Sequence, residues 1–312
     1  MIEEKVASAE FSGWSAVIWF LVFAGGLLLT GLAGVPAGNL RGEGFHPLDI
    51  TVMRTVSVGL VFFLLVLVRW CFVGLPVLRP EHLKALIVFA VFGVVLTNGG
   101  TTLSVALVPS YVAIPVIFAM SIATAMVIDL VAKNAVDKLD IGVSLALVVL
   151  VAVLVGAGAG EAVGFHLSAI AVPVMTGVAQ GVAYHAVGGS KDLDALTFYS
   201  FGFGIGGAVM VVTSGALGVV DFKLIHDKAF EPDIAAWLSM LSVGMTVLPY
   251  LMIRAAATKL SMIAKGSAGS AEPVGGVAAD YLQGHQLEVT RVLLVVTIIG
   301  VVLANQLRKR GS

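Results

Sequence analysis

The chain has 312 residues, of which 59% are hydrophobic, 12% are charged and 36 are glycine, with a mean hydropathy of +1.04. Such usage lies far outside that of water-soluble globular enzymes. The net charge of −1 supplies no basic field for nucleic acid, and the lone cysteine, Cys71, can form no internal disulfide.

Apolar runs of about 20 residues, the length that crosses a bilayer, occur between charged or turn-rich breaks. In chain order they lie near 14–36, 48–70, 84–107, 110–131, 140–160, 166–187, 194–219, 234–257, 260–282 and 289–307. Runs this long exclude β-barrel strands, so the expectation is an all-α integral membrane protein with ten transmembrane helices. The first run is kept as a membrane helix. Glu3, Glu4 and Glu10 outweigh Lys5, whereas a secretory signal opens on positive charge.

An even number of spans puts both termini on one side. Of the 18 Lys and Arg, eleven fall on that side, and four (Arg41, Lys223, Lys228 and Arg291) fall opposite. The remaining three (Arg54, Arg254 and Lys265) lie inside spans. The positive-inside rule then places both termini in the cytoplasm of a cell's inner (plasma) membrane. Loops are short except near 221–233, which leaves no soluble catalytic domain, and function must live in the bundle.

The chain also matches itself. Displacing 106–134 by 151 positions lays Ser110 on Ser261 and Asp129 on Asp280, and a displacement of 145 lays Asp49 on Asp194 and Gly59 on Gly204. This predicts two five-helix halves, 1–161 and 162–312. An odd helix number inverts the second half, an arrangement that puts a substrate site near the midplane between the halves.

The second half carries Leu248-Pro249-Tyr250, the small run Ala255-Ala256-Ala257, the pair Glu272-Pro273, and Gly284 and Leu287 before the last span. In the first half, Arg54 follows Asp49 on the second helix. Over essentially its whole length the chain resembles the drug/metabolite transporter superfamily, in its ten-helix EamA-like group of amino acid and metabolite exporters. It departs from that pattern at His285, where the group usually has Glu, and at Ser121-Ile122, where a Pro is common. The resemblance implies a secondary transporter working by alternating access, with export of amino acids as the first expectation.

A charged group at the centre of a membrane helix costs about 2.5–3.5 kcal/mol on insertion scales, so ionisable residues there are functional candidates. Glu272 stands mid-run beside Pro273, and Lys265 lies seven residues earlier on the same face. The two charges, about 10 Å apart along the helix, suit a zwitterion. Ser270 lies between them. Gln180 and Tyr184 share a face at i, i+4, and His185, which titrates near neutrality, offers a proton-coupling group. Asn98, Tyr111 and Tyr250 complete the expected binding set. Arg54 and Arg254 are read as interface residues reaching headgroups.

Gly202-x-Gly204-x-x-Gly207 fits a dinucleotide fingerprint in letters only. It lies in an apolar helix with no preceding strand and reads as small-residue packing. The six histidines show no HExxH pairing, so no metal and no cofactor are expected. The expected partners are a small-molecule substrate and membrane lipids, with the protein a monomer. Carriers of other organic anions, amines or sugars remain as alternatives. From other classes, so do a channel and an intramembrane enzyme using Ser270 beside Glu272.

Overall fold

A computed structural model describes residues 14–74, 78–132, 138–158, 167–188, 193–257, 259, 271–284 and short pieces of 289–301. The described residues form helices and no strand. They are α1 (Trp14–Gly31), α2 (Gly34–Gly42), α3 (Pro47–Val73), α4 (Pro80–Leu107), α5 (Ser110–Val131), α6 (Lys138–Gly158), α7 (Ala171–Gly188), α8 (Ala195–Leu217), α9 (Phe222–Lys228), α10 (Pro232–Ala256) and α11 (Ala271–Leu282). Among the described residues six runs are long and apolar enough to cross a membrane: Val17–Gly42, Pro47–Val73, Pro80–Leu107, Ser110–Val131, Ala195–Leu217 and Pro232–Ala256. The expected spans at 140–160 and 166–187 fall on α6 and α7, while most of 260–282 and 289–307 lies outside the described residues.

Helix boundaries follow local chemistry. The first run, expected to stop near 36, continues to Gly42 after a break at Leu32 and Ala33. Pro36 brings no N–H to the Leu32 carbonyl and its ring crowds that position, so the ladder is interrupted one turn earlier. Pro47 opens α3, where a proline loses no hydrogen bond, and the Asp49 carboxylate accepts the His46 N–H at 2.8 Å. At the start of α8 the Asp194 carboxylate accepts the Thr197 N–H at 3.0 Å. That helix ends at Gly218, whose φ of 62° suits a residue without a Cβ.

Each of these two carboxylates also ties its helix to the far end of the other. Asp49 Oδ1 accepts the N–H of Asp221, just beyond α8, at 2.9 Å, and Asp194 Oδ2 pairs with Arg69 near the end of α3 at 3.1 Å. The α3–α8 pair is thus fastened at both ends. Asp194→Ala should therefore lower the thermal stability of the detergent-solubilised protein by about 0.5–2 kcal/mol, the usual cost of a lost N-cap. Arg69→Ala should cost less, because both partners of the ion pair are 29% exposed. An unchanged melting temperature in Asp194→Ala would show that the cap carries no stability.

Two of the long helices contain wide, π-type turns, at Phe89–Asn98 in α4 and Met240–Val247 in α10. In each a threonine hydroxyl donates back five residues, Thr97 to the Phe92 carbonyl at 2.6 Å and Thr246 to the Leu241 carbonyl at 2.8 Å. Such turns often mark functional sites, because the extra residue per turn frees backbone groups and redirects side chains.

Lipid is as apolar as leucine, so these helices gain little from hiding apolar surface from one another, and close packing of small residues takes over. On α3, Leu60, Phe63, Leu64, Val68 and Phe72 are exposed, as a lipid-facing surface requires, while Val58, Phe62 and Val66 are buried against the bundle. The helix α11 is wedged between α1 and α5. A Cβ on Gly31 would strike the Glu272 carbonyl oxygen, one on Gly275 the Leu28 carbonyl oxygen, and one on Gly276 would come within 2.9 Å of Ile114 Cβ. The glycine series in α8 packs in the same way, with Gly202 against the Phe89 ring and Gly206 against Val94.

Candidate functional site

Where α3, α4, α7, α8, α10 and α11 converge, the apolar interior gives way to a buried polar cluster. Arg54 of α3, Asn98 and Thr102 of α4, Gln180 of α7, Thr246 of α10 and Glu272 of α11 are each at most 9% exposed. Arg54 Nε donates to Thr246 Oγ1 at 2.9 Å, and Nη1 donates to Thr102 Oγ1 at 3.4 Å. Both hydroxyls are themselves anchored to backbone, Thr246 on the Leu241 carbonyl and Thr102 on the Asn98 carbonyl. The wide turns of α4 and α10 therefore set the guanidinium in place through two threonines.

The acid lies on the other side of the cluster. Glu272 hydrogen bonds with the Gln180 side chain, and Gln180 Nε2 donates to the Tyr184 hydroxyl at 2.7 Å. Tyr250 stands between the two charges, close enough to feel both Arg54 and Glu272, with its hydroxyl toward Asn98. Its ring packs edge-on to Tyr199, centroids 5.0 Å apart at 77°. Behind them Phe62, Phe89, Phe198 and Phe203 form an aromatic wall, with Phe89 and Phe198 centroids 4.8 Å apart.

Two properties distinguish this cluster from ordinary packing. Among the described residues Arg54 pairs with no carboxylate and Glu272 with no Lys or Arg, although burying an unpaired charge is expensive. In addition, Asn98 Nδ2 and Gln180 Oε1 are buried without a hydrogen-bond partner. One is a donor on the Arg54 side and the other an acceptor on the Glu272 side, so the cluster offers complementary groups at each end.

Of the expected binding residues, the structure brings Asn98, Gln180, Tyr184, Tyr250 and Glu272 together. Tyr111 is not with them: it is buried at the start of α5 in a separate apolar cluster with Val108, Val112 and Phe118, its N–H on the Asp280 carboxylate. His185 is exposed beside Tyr184. Lys265 and Ser270 lie outside the described residues. Pro273 is the third described residue of α11, and Gly269, whose carbonyl a residue there would bond, lies outside the described residues.

Arg54, read from the sequence as an interface residue, is instead 4% exposed in the cluster. Its depth was legible: seven residues beyond Pro47 it sits about 10 Å into α3. Thr102 and Thr246 had no signal, since a threonine in an apolar helix ordinarily bonds its own backbone. Tyr184 hydrogen bonds into the cluster yet is 50% exposed, so its flank opens outward along α7. A cavity of about 460 Å³ lies away from the cluster, between α2, the end of α4 and the end of α11.

No protein-family model matches the chain, and no curated protein matches it. The fold is similar to that of a protein known from a crystal structure, with a TM-score of 0.62 over 92% of this chain and 94% of that one, at 13% sequence identity. A likeness at that identity carries the fold alone, shared over nearly the whole chain.

Proposed function

We propose that the protein is a secondary transporter of small polar metabolites, amino acids first among them, rather than an enzyme. The observation that carries this reading is the pair of buried, mutually unpaired charges, Arg54 and Glu272, with the open donor of Asn98 and the open acceptor of Gln180 between them. A zwitterion satisfies all four, its carboxylate toward Arg54 and Asn98 and its ammonium toward Glu272 and Gln180. The tyrosine faces of Tyr184 and Tyr250 favour a cation at that second end. Arg54 thus takes the anion-binding role first expected of Lys265.

The reading includes ten spans in two inverted five-helix halves, 1–161 and 162–312, resembling the drug/metabolite transporter superfamily, with both termini in the cytoplasm. Several features support the halves. The wide turns of α4 and α10 stand about 150 positions apart, and Thr97 and Thr246 make the same back-bond in each. Asp49 and Asp194, matched by the self-comparison, both cap their helices and both tie to the opposite one. Alternating access then follows as two halves rocking about a site near the midplane.

Counterflow in proteoliposomes tests the proposal. Vesicles loaded with unlabelled amino acid should accumulate the labelled one transiently, which neither a channel nor an enzyme does. A panel with no trans-stimulation by any amino acid would discard that substrate class, and stimulation by organic anions, amines or sugars would redirect it.

A further inference from the structure

The 460 Å³ cavity belongs to no part of the polar cluster. One face of α2 lines it with Gly34, Ala37, Gly38 and Arg41, the chain at Val105–Pro109 forms a second wall, and Asp280 and Gln283 close it from α11. Small residues on α2 leave the room, and the volume lies within the range of small-molecule sites. Its polar groups are of both signs. The Arg41 guanidinium at the rim makes no ion pair among the described residues. Asp280, 1% exposed, accepts the Tyr111 N–H and is the carboxylate of the lining. Position 109 is a proline, so the Val105 carbonyl has no donor four residues on.

Further along α11 from the cavity, Gly275 and Gly276 close that helix against Gly31 of α1 and Ile114 of α5. Glu272 lies in that contact, eight residues from Asp280 on the same helix, about 12 Å away.

We propose that this cavity is a second solute site, a vestibule that holds a small amphoteric molecule with its carboxylate at Arg41 and its ammonium toward Asp280 and the Val105 carbonyl. A plain anion meets the Asp280 charge there and a plain cation meets Arg41, so a molecule carrying both signs fits best. The role as a waiting station rests on the transport reading, because it lies at the far end of the helix that carries Glu272. The binding chemistry stands apart from that reading.

Thiol protection tests it on the full chain in detergent. Cys71, the single native thiol, is replaced in Cys71→Ser, and Gly42→Cys places a reporter on the cavity wall, where a Cβ meets nothing within 4 Å. Glycine and larger amino acids should slow modification of the reporter, about tenfold at ten times the dissociation constant, while acetate and methylammonium should not. Adding Arg41→Gln should abolish the protection and Arg41→Lys should keep part of it. Adding Glu272→Gln should leave it intact, so a vestibule that protects in a protein showing no counterflow would separate this inference from the transport reading. Equal rates with and without every amino acid, protection by acetate alone, or protection unmoved by Arg41→Gln would each overturn the proposal.

Discussion

If the protein transports as proposed, Arg54→Gln should raise the half-saturating substrate concentration in counterflow by about thirtyfold or more, and Glu272→Gln should do the same from the other end. Removing one partner of a buried, hydrogen-bonded charge contact costs about 2–5 kcal/mol, and 1.4 kcal/mol is tenfold in affinity. Glu272→Gln keeps shape and hydrogen-bonding capacity, while Arg54→Gln is shorter and gives up the Nη1 contact with Thr102. Gln at position 54 can still donate to Thr246, whose hydroxyl lies 2.9 Å from Arg54 Nε, and Gln at 272 can still bond the Gln180 amide. The loss at position 272 is therefore one of charge, and that at position 54 is of charge together with the Thr102 contact. The two should also differ by substrate: a compound lacking the carboxylate should be little affected by Arg54→Gln, and one lacking the ammonium little affected by Glu272→Gln. Wild-type half-saturation in either variant, with the protein folded, would remove that residue from the site.

The second large effect concerns stability. Gly31→Ala and Gly275→Ala should each lower the melting temperature of the solubilised protein, by about 1–3 kcal/mol or more of overpacking, because each new methyl would strike a backbone carbonyl across the α1–α11 contact. A side chain can turn aside; a carbonyl in a helix cannot. Gly204→Ala is the control, since a Cβ there meets nothing within 4 Å and alanine favours the helix by up to about 1 kcal/mol over glycine. If Gly31→Ala melts no lower than Gly204→Ala, α1 and α11 do not pack through these glycines.

The sequence made the class of fold plain, because runs of this length and hydropathy have one physical solution. It also paired Gln180 with Tyr184 by spacing alone, as the 2.7 Å contact bears out. What it hid has two causes. A helix that is apolar on every face carries no periodic signal for which side meets lipid and which meets its neighbours, so Tyr111 could be read into a site from which α5 packing removes it. Wide turns leave no mark either: Phe89–Asn98 reads as ordinary apolar helix. Yet that turn ends at Asn98, whose carbonyl anchors Thr102, and its counterpart in α10 holds Thr246, the two threonines that orient Arg54. Burial depth decided Arg54 itself, and an assignment based on nearness to a helix end overlooked the distance a side chain must reach to find water.

The α3–α8 fastening bears on how the protein is made. Helices of the first 161 residues take main partners from the rest: α3 from α8, α5 from α7, and α1 from α10 and α11. Asp49 waits for the backbone of Asp221, 172 positions later. During synthesis the early helices are therefore made before their final neighbours, and the α1 face that meets α10 and α11 waits longest. Two separately expressed fragments would be expected to complement each other rather than fold as independent modules, and a late truncation would unsettle the earliest helix as much as the last.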